Sequence, residues 1–254
     1  MQYAICTVPA APVRKEPSHR TEMTNQLLFG ETMQVLEAKD EWFKIKSLYD
    51  DYEGWLTYHL ISEVNEQVAT KPLEYVAISD LNLLLFKGNV MKITAGSHLT
   101  CFNVHTNELW SNEWEYRGSV KNVKGVFNGN DIVRSAHEWL YAPYLWGGKT
   151  LMGVDCSGFV QTVFKLFGIK LLRDAYQQAE QGMAVKSLEN AKEGDVAFFH
   201  NENGRVTHVG ILLNSTQIIH ASGKVRIDTL DEQGIVNSDN GKRTHQLHSI
   251  KRYF

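Results

Sequence analysis

The fold is decided by the stretch Gly153-Val154-Asp155-Cys156-Ser157-Gly158-Phe159, which is typical of the start of a helix. Asp155 is a good N-cap, so the helix is predicted to begin at Asp155 or Cys156. Apolar residues then recur on one helix face, and Gly168 supplies the stop. Cys156 falls in the first turn, where unpaired N–H groups and the helix dipole favour a thiolate. A reactive cysteine and a buried structural cysteine are both open at this point.

A reactive cysteine needs a base that takes its proton, and two histidines further along the chain are candidates. His208 lies inside the apolar strand predicted over 206–213, and His220 ends the next strand, over 217–221. Antiparallel pairing of these strands through a short turn brings the two imidazoles close together. Cys156, His208 and His220 are therefore predicted as nucleophile, general base and orienting group. Zinc binding by the same three residues is the weaker interpretation, because no CxxC or HExxH spacing is present.

Two all-β regions are predicted on the amino-terminal side of this stretch. Short strands separated by turn signals indicate one unit over residues 1–64 and a second over 73–125. A polar segment that ends at Pro72 is interpreted as the linker between them. From residue 128 onward helices come first and strands follow, which predicts an α+β domain over 128–254. The chain is thus expected to have three parts.

The α+β part is predicted to contain three helices and a sheet. Besides the helix at Cys156, one helix is capped by Asp131 and runs to Leu140, and a short one covers 174–181. Strands are predicted over 195–200, 206–213, 217–221 and 225–229, and residues 249–254 are expected to close the sheet. His245 and His248 lie in a polar stretch and are expected to be solvated.

Composition excludes several classes of protein. Of 254 residues, 43% are hydrophobic and 22% are charged, which is the range of globular proteins and not of disordered chains. The net charge is −3 without a basic block, so no nucleic-acid partner is expected. No apolar run reaches the roughly 20 residues that span a bilayer, so no membrane partner is expected either. A monomer is expected.

The cellular compartment can be inferred from the cysteines and from the first residues. Cys6, Cys101 and Cys156 are too few and odd in number for a disulfide scaffold, which fits a reducing compartment. Residues 1–6 lack the basic and apolar regions of a signal peptide. The protein is therefore expected in the cytoplasm, or outside it if a leader was removed.

Five motifs carry a family resemblance. They are Pro143-Tyr144-Leu145-Trp146-Gly147-Gly148, Asp155-Cys156-Ser157-Gly158-Phe159-Val160, Gly194-Asp195-Val196-Ala197-Phe198-Phe199, His208-Val209-Gly210-Ile211 and Ile219-His220-Ala221-Ser222. In this order they resemble the NlpC family of bacterial cell-wall cysteine peptidases, over about residues 128–254. The resemblance implies a circularly permuted, papain-like α+β domain that needs no metal or organic cofactor. It also implies that Cys156 is the nucleophile, His208 the general base and His220 the third polar member.

The amino-terminal part carries a second resemblance. Residues 12–31 are similar to bacterial SH3-like domains, which implies two small all-β SH3-like barrels before the papain-like domain. In the subgroup with this arrangement, the barrel closes one end of the active site. The implied activity is that of a cysteine endopeptidase that hydrolyses the γ-D-glutamyl–diamino acid bond of free murein peptides with N-terminal L-Ala, in peptidoglycan recycling. A broader murein hydrolase acting on intact wall and a catalytically inactive cell-wall binding protein are the alternatives.

The resemblance also points to residues that contact the substrate peptide. Tyr144 matches a tyrosine that positions the substrate or stabilises the oxyanion, with ordinary packing as the alternative. Trp146 is expected to shape the cleft wall. Asp174 belongs to a segment that lines the cleft, in which Tyr176 stands where a small polar residue is expected.

Recognition of a free ammonium group needs carboxylates or carbonyls around it. In the subgroup the aspartate that matches Asp155 faces the substrate amine, and a pure N-cap role is the alternative. Ser157 is expected to add a hydrogen bond. Glu22, in a predicted long loop of the first barrel, is the candidate for a second carboxylate, with a solvated surface acid as the alternative.

Overall fold

The computed structural model describes residues 1–78 and 82–254, which form two compact units. Unit 1 contains residues 1–125 and 146–151, and unit 2 contains residues 126–145 and 152–254. Both predicted β regions therefore belong to unit 1, together with a short segment from the middle of the chain. Ser79, Asp80 and Leu81, inside the predicted second β region, lie outside the described residues.

A seven-stranded antiparallel sheet forms the first part of unit 1. Its strands are β1 (Tyr3–Cys6), β2 (Ala10–Arg14), β3 (Met23–Leu28), β4 (Thr32–Lys39), β5 (Trp42–Ser47), β6 (Glu53–Thr57) and β7 (Ile61–Val64). Their order is β3-β2-β6-β5-β4-β1-β7, with a 3₁₀ turn at Tyr58–Leu60. Side chains alternate across a strand, so every second residue can reach a common apolar core, which includes Ala4, Cys6, Val13 and Ile45. A short helix, α1 (Glu66–Ala69), follows.

Two small sheets form the second part of unit 1. Their strands are β8 (Tyr75–Ala77), β9 (Asn82–Phe86), β10 (Asn89–Ile93), β11 (Trp114–Arg117) and β12 (Val120–Asn122). One sheet has the order β10-β9-β11, and β12 pairs with β8 in the other. Trp114 fills the core, with its ring stacked on Phe86 at a centroid distance of 4.0 Å. That this region is a second SH3-like barrel remains a prediction.

The segment 146–151 is held in unit 1 by a buried ion pair. Lys149, in β13 (Lys149–Thr150), is fully buried, and its ammonium lies 3.2 Å from the Glu31 carboxylate. Burying either charge alone is costly, and the pairing offsets that cost. Gly147 has a left-handed φ of 76°, and a Cβ there would lie 2.6 Å from the Met23 carbonyl oxygen. Glycine is therefore required at this turn.

Three helices belong to unit 2: α2 (Gly129–His137), α3 (Cys156–Lys165) and α4 (Ala175–Gln178). The predicted start of α3 at Cys156 is confirmed. The predicted cap of α2 is wrong, because Asn128 is the N-cap and Asp131 is its partner in a capping box. α2 also ends at His137, before the predicted Leu140. Within the described part of the chain, no helix is long and apolar enough to cross a membrane.

The sheet of unit 2 has seven strands and closes on itself. The strands are β15 (Met183–Val185), β16 (Val196–His200), β17 (Val206–Asn214), β18 (Gln217–Ser222), β19 (Lys224–Asp231), β20 (Gly234–Val236) and β21 (Arg243–Arg252). Outside this sheet, β14 (Gly153–Val154) precedes α3, and a 3₁₀ turn covers Leu188–Asn190. The order is β15-β21-β16-β17-β18-β19-β20, and β21 also pairs with β20. The last strand therefore begins at Arg243, earlier than the predicted start at Ser249. α3 packs against β17 and β18, which carry the two histidines predicted for the site.

Candidate active site

The Cys156 thiol lies at the start of α3, beside the strand that carries His208. The Asp155 carboxylate caps this helix, with Oδ1 accepting a hydrogen bond of 2.7 Å from the Gly158 N–H. The Cys156 sulfur interacts with the backbone N–H of Val209, the residue that follows His208. The helix start thereby brings the predicted nucleophile to the strand that carries the predicted base.

Burial changes the ionisation expected for this thiol. The sequence predicts a thiolate at Cys156, but burial, together with the nearby charge of Asp155, raises the pKa of the thiol to about 12. Arg173 and two backbone N–H groups lower the pKa without outweighing burial. Burial, with two histidines nearby, also lowers the pKa of His208 well below its usual value. Both groups are therefore expected to be neutral at rest, and a nucleophilic role of Cys156 requires that the thiol lose its proton as it attacks.

The two predicted histidines form a direct hydrogen bond. β17 and β18 pair antiparallel with Gly210 opposite His220, and Nε2 of His208 lies 2.8 Å from Nδ1 of His220. The predicted approach of the two imidazoles is confirmed. Gly210 leaves the space that this approach needs, because a Cβ there would lie 2.8 Å from the Cβ of His220. Non-bonded carbon atoms pack best at about 3.5–4.0 Å, so any side chain at this position would push His220 away.

The histidine pair continues to a carboxylate that the sequence analysis missed. Oδ2 of Asp228 lies 3.0 Å from Nε2 of His220. Its Oδ1 accepts hydrogen bonds of 2.9 Å from the Arg226 guanidinium and from the Ser238 N–H. Burial alone would raise the pKa of Asp228, but the hydrogen bonds outweigh it and hold the pKa below its usual value. Asp228 is therefore ionised at neutral pH.

The Asp228 carboxylate fixes where the protons lie along this chain of groups. An ionised carboxylate only accepts hydrogen bonds, so His220 carries its proton on Nε2 and donates it to Asp228. Nδ1 of His220 then accepts from the Nε2–H of His208. This leaves Nδ1 of His208 unprotonated, so this atom is free to act as a base. The linked side chains of His208, His220 and Asp228 are here named the histidine relay.

A third histidine packs on this relay, contrary to the sequence prediction. His245 was expected to be solvated, but its ring stacks on His208 at a centroid distance of 4.0 Å and an interplanar angle of 23°. Burial, with His220 nearby, lowers the pKa of His245 to about 4, although Asp228 acts in the opposite direction. A neutral ring therefore covers one face of the His208 imidazole. β21 carries His245 into the site, and the polar sequence around it gave no signal of this strand's position.

Tyr144 lies close to the predicted nucleophile. Burial raises the pKa of this half-buried phenol, and the charges of Cys156 and Asp155 raise it further. The phenol therefore stays protonated and can donate a hydrogen bond at neutral pH. Its backbone N–H donates to the Gly223 carbonyl at 3.0 Å, which fixes the chain at this position. Its contact with substrate remains a prediction.

Three other predicted substrate residues make contacts inside unit 2. The buried Arg173 guanidinium donates to both carboxylate oxygens of Asp155, at 3.0 and 2.6 Å, and to the Ser157 hydroxyl at 2.8 Å. Asp155 therefore caps the helix and also forms a buried ion pair. Asp174 is the N-cap of α4, where it forms a capping box with Gln177. The substrate roles of all three remain predictions.

The structure brings Trp146 and Glu22 together in unit 1. The indole Nε1–H of Trp146 donates to Oε1 of Glu22 at 2.8 Å. Both side chains are exposed, Trp146 to 59%, so each keeps a surface that solvent or a ligand can reach. Two roles remain predictions: that of Trp146 as a cleft wall and that of Glu22 as a second carboxylate.

The arrangement of the side chains does not favour the zinc interpretation. Among residues 1–78 and 82–254, no group of three or more His, Cys, Asp or Glu side chains is arranged to hold a metal ion. His220 uses both ring nitrogens in hydrogen bonds, one to His208 and one to Asp228. It therefore has no ring nitrogen left for a metal ion.

Two family models match the chain. The NlpC/P60 family model matches residues 141–243, and the bacterial dipeptidyl-peptidase Sh3 domain model matches residues 13–59. The first match includes the Cys156 helix and the histidine relay. The second covers most of the seven-stranded sheet of unit 1.

Curated relatives and a solved structure extend these matches over most of the chain. A γ-D-glutamyl-L-lysine dipeptidyl-peptidase from Bacillus subtilis (strain 168) is 31% identical, over 82% of this chain and 76% of the relative. Dipeptidyl-peptidase 6 from Lysinibacillus sphaericus is 25% identical, over 91% and 92%. The crystal structure of an NlpC/P60 family protein from Bacillus cereus ATCC 10987 shares the fold, with a TM-score of 0.78 at 20% identity over 99% of both chains.

Proposed function

The chain belongs to the NlpC/P60 family of cell-wall cysteine peptidases, and we propose that it hydrolyses the bond between γ-D-glutamate and a diamino acid in free murein peptides that begin with L-Ala. It combines an SH3-like domain with a papain-like domain of the NlpC/P60 type. The observation that carries the proposal is the histidine relay beside Cys156. The name of the Bacillus subtilis relative, a γ-D-glutamyl-L-lysine dipeptidyl-peptidase, supports the substrate class.

In the proposed reaction, Cys156 is the nucleophile and His208 moves the proton. The sulfur attacks the γ-glutamyl carbonyl carbon while Nδ1 of His208 takes the thiol proton. The backbone N–H of Cys156, at the helix start, donates to the resulting oxyanion. His208 then gives its proton to the leaving amine of the diamino acid, and the C–N bond breaks to leave a thioester.

Hydrolysis of the thioester uses the same residues in reverse. His208 takes a proton from a water molecule, which attacks the thioester carbon. The C–S bond breaks, the thiolate of Cys156 recovers its proton, and L-Ala-D-Glu leaves. Throughout both steps His220 and Asp228 keep the His208 ring in one tautomer and stabilise its charged form, as the third member of a triad does.

The experiment that tests this function is mass spectrometry of products from two peptides. Purified protein is mixed with free L-Ala-γ-D-Glu-meso-diaminopimelate and with an N-acetylated copy, and the Cys156→Ala variant serves as the control. Release of L-Ala-D-Glu from the free peptide alone, and only by the parent protein, is the expected result. Cleavage of both peptides would contradict recognition of the free ammonium. Cleavage of neither would overturn the proposed substrate and make intact murein the next one to test.

The proposed substrate is a product of wall turnover, so we propose a role in peptidoglycan recycling and a cytoplasmic location. The low cysteine count is compatible with a reducing compartment. Cell fractionation followed by immunoblotting tests the location. Recovery of the full-length protein from the cytoplasmic fraction is expected, and recovery from the wall or culture medium would contradict it.

A further inference from the structure

Arg205 stands apart from the other arginines of unit 2. The arginines of unit 2 that pair with a carboxylate are Arg134, Arg173, Arg226, Arg243 and Arg252. The guanidinium of Arg205 has no acidic partner among the residues that the structure describes, and it is exposed. It lies instead over the aromatic ring of Tyr176, at 5.4 Å from the ring centroid. An arginine held on an aromatic ring keeps its N–H donors available for an anion.

The helix that carries Tyr176 is hydrogen-bonded to the start of the Cys156 helix. In α4, the Gln178 side chain donates at 3.1 Å to the carbonyl of Ser157, the residue after Cys156. The chain just before α4 is also tied to this place, because the Arg173 guanidinium binds Ser157. The Tyr176 side chain is 43% exposed. Its ring therefore offers an aromatic support beside the helix start.

Arg205 lies at the start of the strand that carries the predicted base. It directly precedes β17, and His208 is the third residue after it. Three residues of strand span about 10 Å. The cation therefore lies just before the strand that carries His208, and its aromatic support lies on the helix that binds the carbonyl of Ser157, the residue after Cys156.

We propose that Arg205, supported by Tyr176, binds a free carboxylate of the peptide substrate close to the bond that is cut. This inference rests on the proposed function, because such a peptide has two carboxylates near the scissile bond. One is the α-carboxylate of D-Glu, and the other is the carboxylate of the diamino acid. A guanidinium matches a carboxylate with two parallel hydrogen bonds, which gives direction as well as charge. Arg205 is therefore assigned as a specificity residue for peptides that carry this acid group.

A substrate panel with matched variants tests the assignment. The peptides are L-Ala-γ-D-Glu-L-Lys, its copy with the D-Glu α-carboxylate as an amide, and its copy with the lysine carboxylate as an amide. The variants are Arg205→Gln, Arg205→Lys, Tyr176→Phe and, as the control, Arg134→Gln, which removes an exposed arginine elsewhere in unit 2. For the unmodified peptide, Arg205→Gln should lower kcat/KM by about tenfold, as expected for loss of one charge-assisted pair.

The kcat/KM values of all variants with all three peptides decide whether Arg205 binds a carboxylate of the substrate. For the parent protein, kcat/KM should be about tenfold lower with one of the two amidated peptides than with the unmodified peptide. With that amidated peptide, Arg205→Gln should cause no further drop in kcat/KM, because the group that Arg205 binds is already absent. That amide identifies which carboxylate is bound. Arg205→Lys and Tyr176→Phe should retain part or most of the activity, and Arg134→Gln should retain all of it.

Two other outcomes have different meanings. If Arg205→Gln lowers kcat/KM by the same factor for all three peptides, or lowers it for none of them, the carboxylate site is contradicted while the proposed function stands. If the parent protein cleaves none of the three peptides, the proposed function fails and this inference fails with it.

Discussion

Each unit of the molecule buries one cysteine, and the two thiols have nearly the same electrostatic surroundings. Burial raises the pKa of Cys6 in unit 1 and of Cys156 in unit 2 to about 12. Each thiol has an acid and a base nearby, namely Glu31 and Lys149 for Cys6, and Asp155 and Arg173 for Cys156. Each also interacts with two backbone N–H groups. Neither the pKa nor the local charge therefore distinguishes Cys6 from Cys156, the predicted nucleophile.

The two cysteines differ in what can take their proton. The Cys6 thiol donates to the carbonyl oxygens of Val8 and Leu27, at 3.4 and 3.5 Å, inside the apolar core of unit 1. A backbone carbonyl accepts a hydrogen bond but does not take the proton. The Cys156 sulfur contacts the backbone of Val209, the residue after His208, and the relay keeps Nδ1 of His208 unprotonated. The prediction of Cys156 as the nucleophile therefore rests on an oriented imidazole nearby, and a shifted pKa does not carry it.

The largest expected effect comes from replacing each cysteine in turn. Cys156→Ala removes the nucleophile and should lower kcat roughly 10⁵- to 10⁶-fold, as in other enzymes with a linked nucleophile and base. Cys6→Ala should leave kcat unchanged and lower the free energy of unfolding by about 1 kcal/mol, because it removes buried packing. Turnover of the free tripeptide and urea unfolding measure the two quantities. Comparable losses of activity in the two variants would break the distinction drawn above.

A smaller effect is expected from the far end of the relay. Asp228→Asn offers His220 an amide that can donate, which favours the opposite tautomer in both histidines and puts a proton on Nδ1 of His208. A wrong tautomer of this kind costs up to about 10⁴-fold in kcat in a Ser-His-Asp triad. The matched control is Asp239→Asn, because Asp239 binds the same Arg226 at 2.8 Å but is exposed and does not contact His220. Steady-state kinetics of both variants make the measurement.

The control decides how the Asp228 result is interpreted. A large loss of kcat in Asp228→Asn with near-normal kcat in Asp239→Asn supports an orienting carboxylate. Equal kinetics in the two variants would show that Asp228 only stabilises the sheet.

The smallest predicted effect concerns pH and His245. Burial is the main reason that the pKa of His208 is low, and the His245 ring covers one of its faces. His245→Ala should therefore raise the pKa of His208 towards the ordinary value of a histidine. Because a protonated His208 cannot take the Cys156 proton, the acid limb of the kcat/KM profile should move to higher pH, by about one unit. His245→Phe keeps a ring in place and should move the limb less. An unchanged limb in the alanine variant would contradict a covering role.

The parts of the site that the sequence predicts depend on local signals. The cap at Asp155 and the apolar face after it predict the helix start that positions Cys156. A short turn joins the strands of His208 and His220, so their pairing follows from neighbouring residues alone. The approach of the two imidazoles is therefore predictable without any knowledge of the rest of the sheet.

The missed parts depend on contacts between distant segments. Asp228 reaches His220 only because β19 pairs with β18 in one particular register. His245 reaches His208 because β21 returns to lie next to β16. Lys149 is paired with Glu31, which is 118 residues away in the sequence. Nothing in the local patterns around these three residues specifies their partners, since register and return strands are set by the packing of the whole unit.

The most direct test of the central claim is to map which cysteine reacts with iodoacetamide near neutral pH. The folded parent protein and a His208→Ala variant are labelled for a series of times, and tryptic peptides are quantified by mass spectrometry. If His208 activates Cys156, this cysteine should be labelled well ahead of Cys6 in the parent, and its labelling should slow strongly in the variant. Equal labelling rates for Cys6 and Cys156, or a Cys156 rate that does not change without His208, would contradict the account.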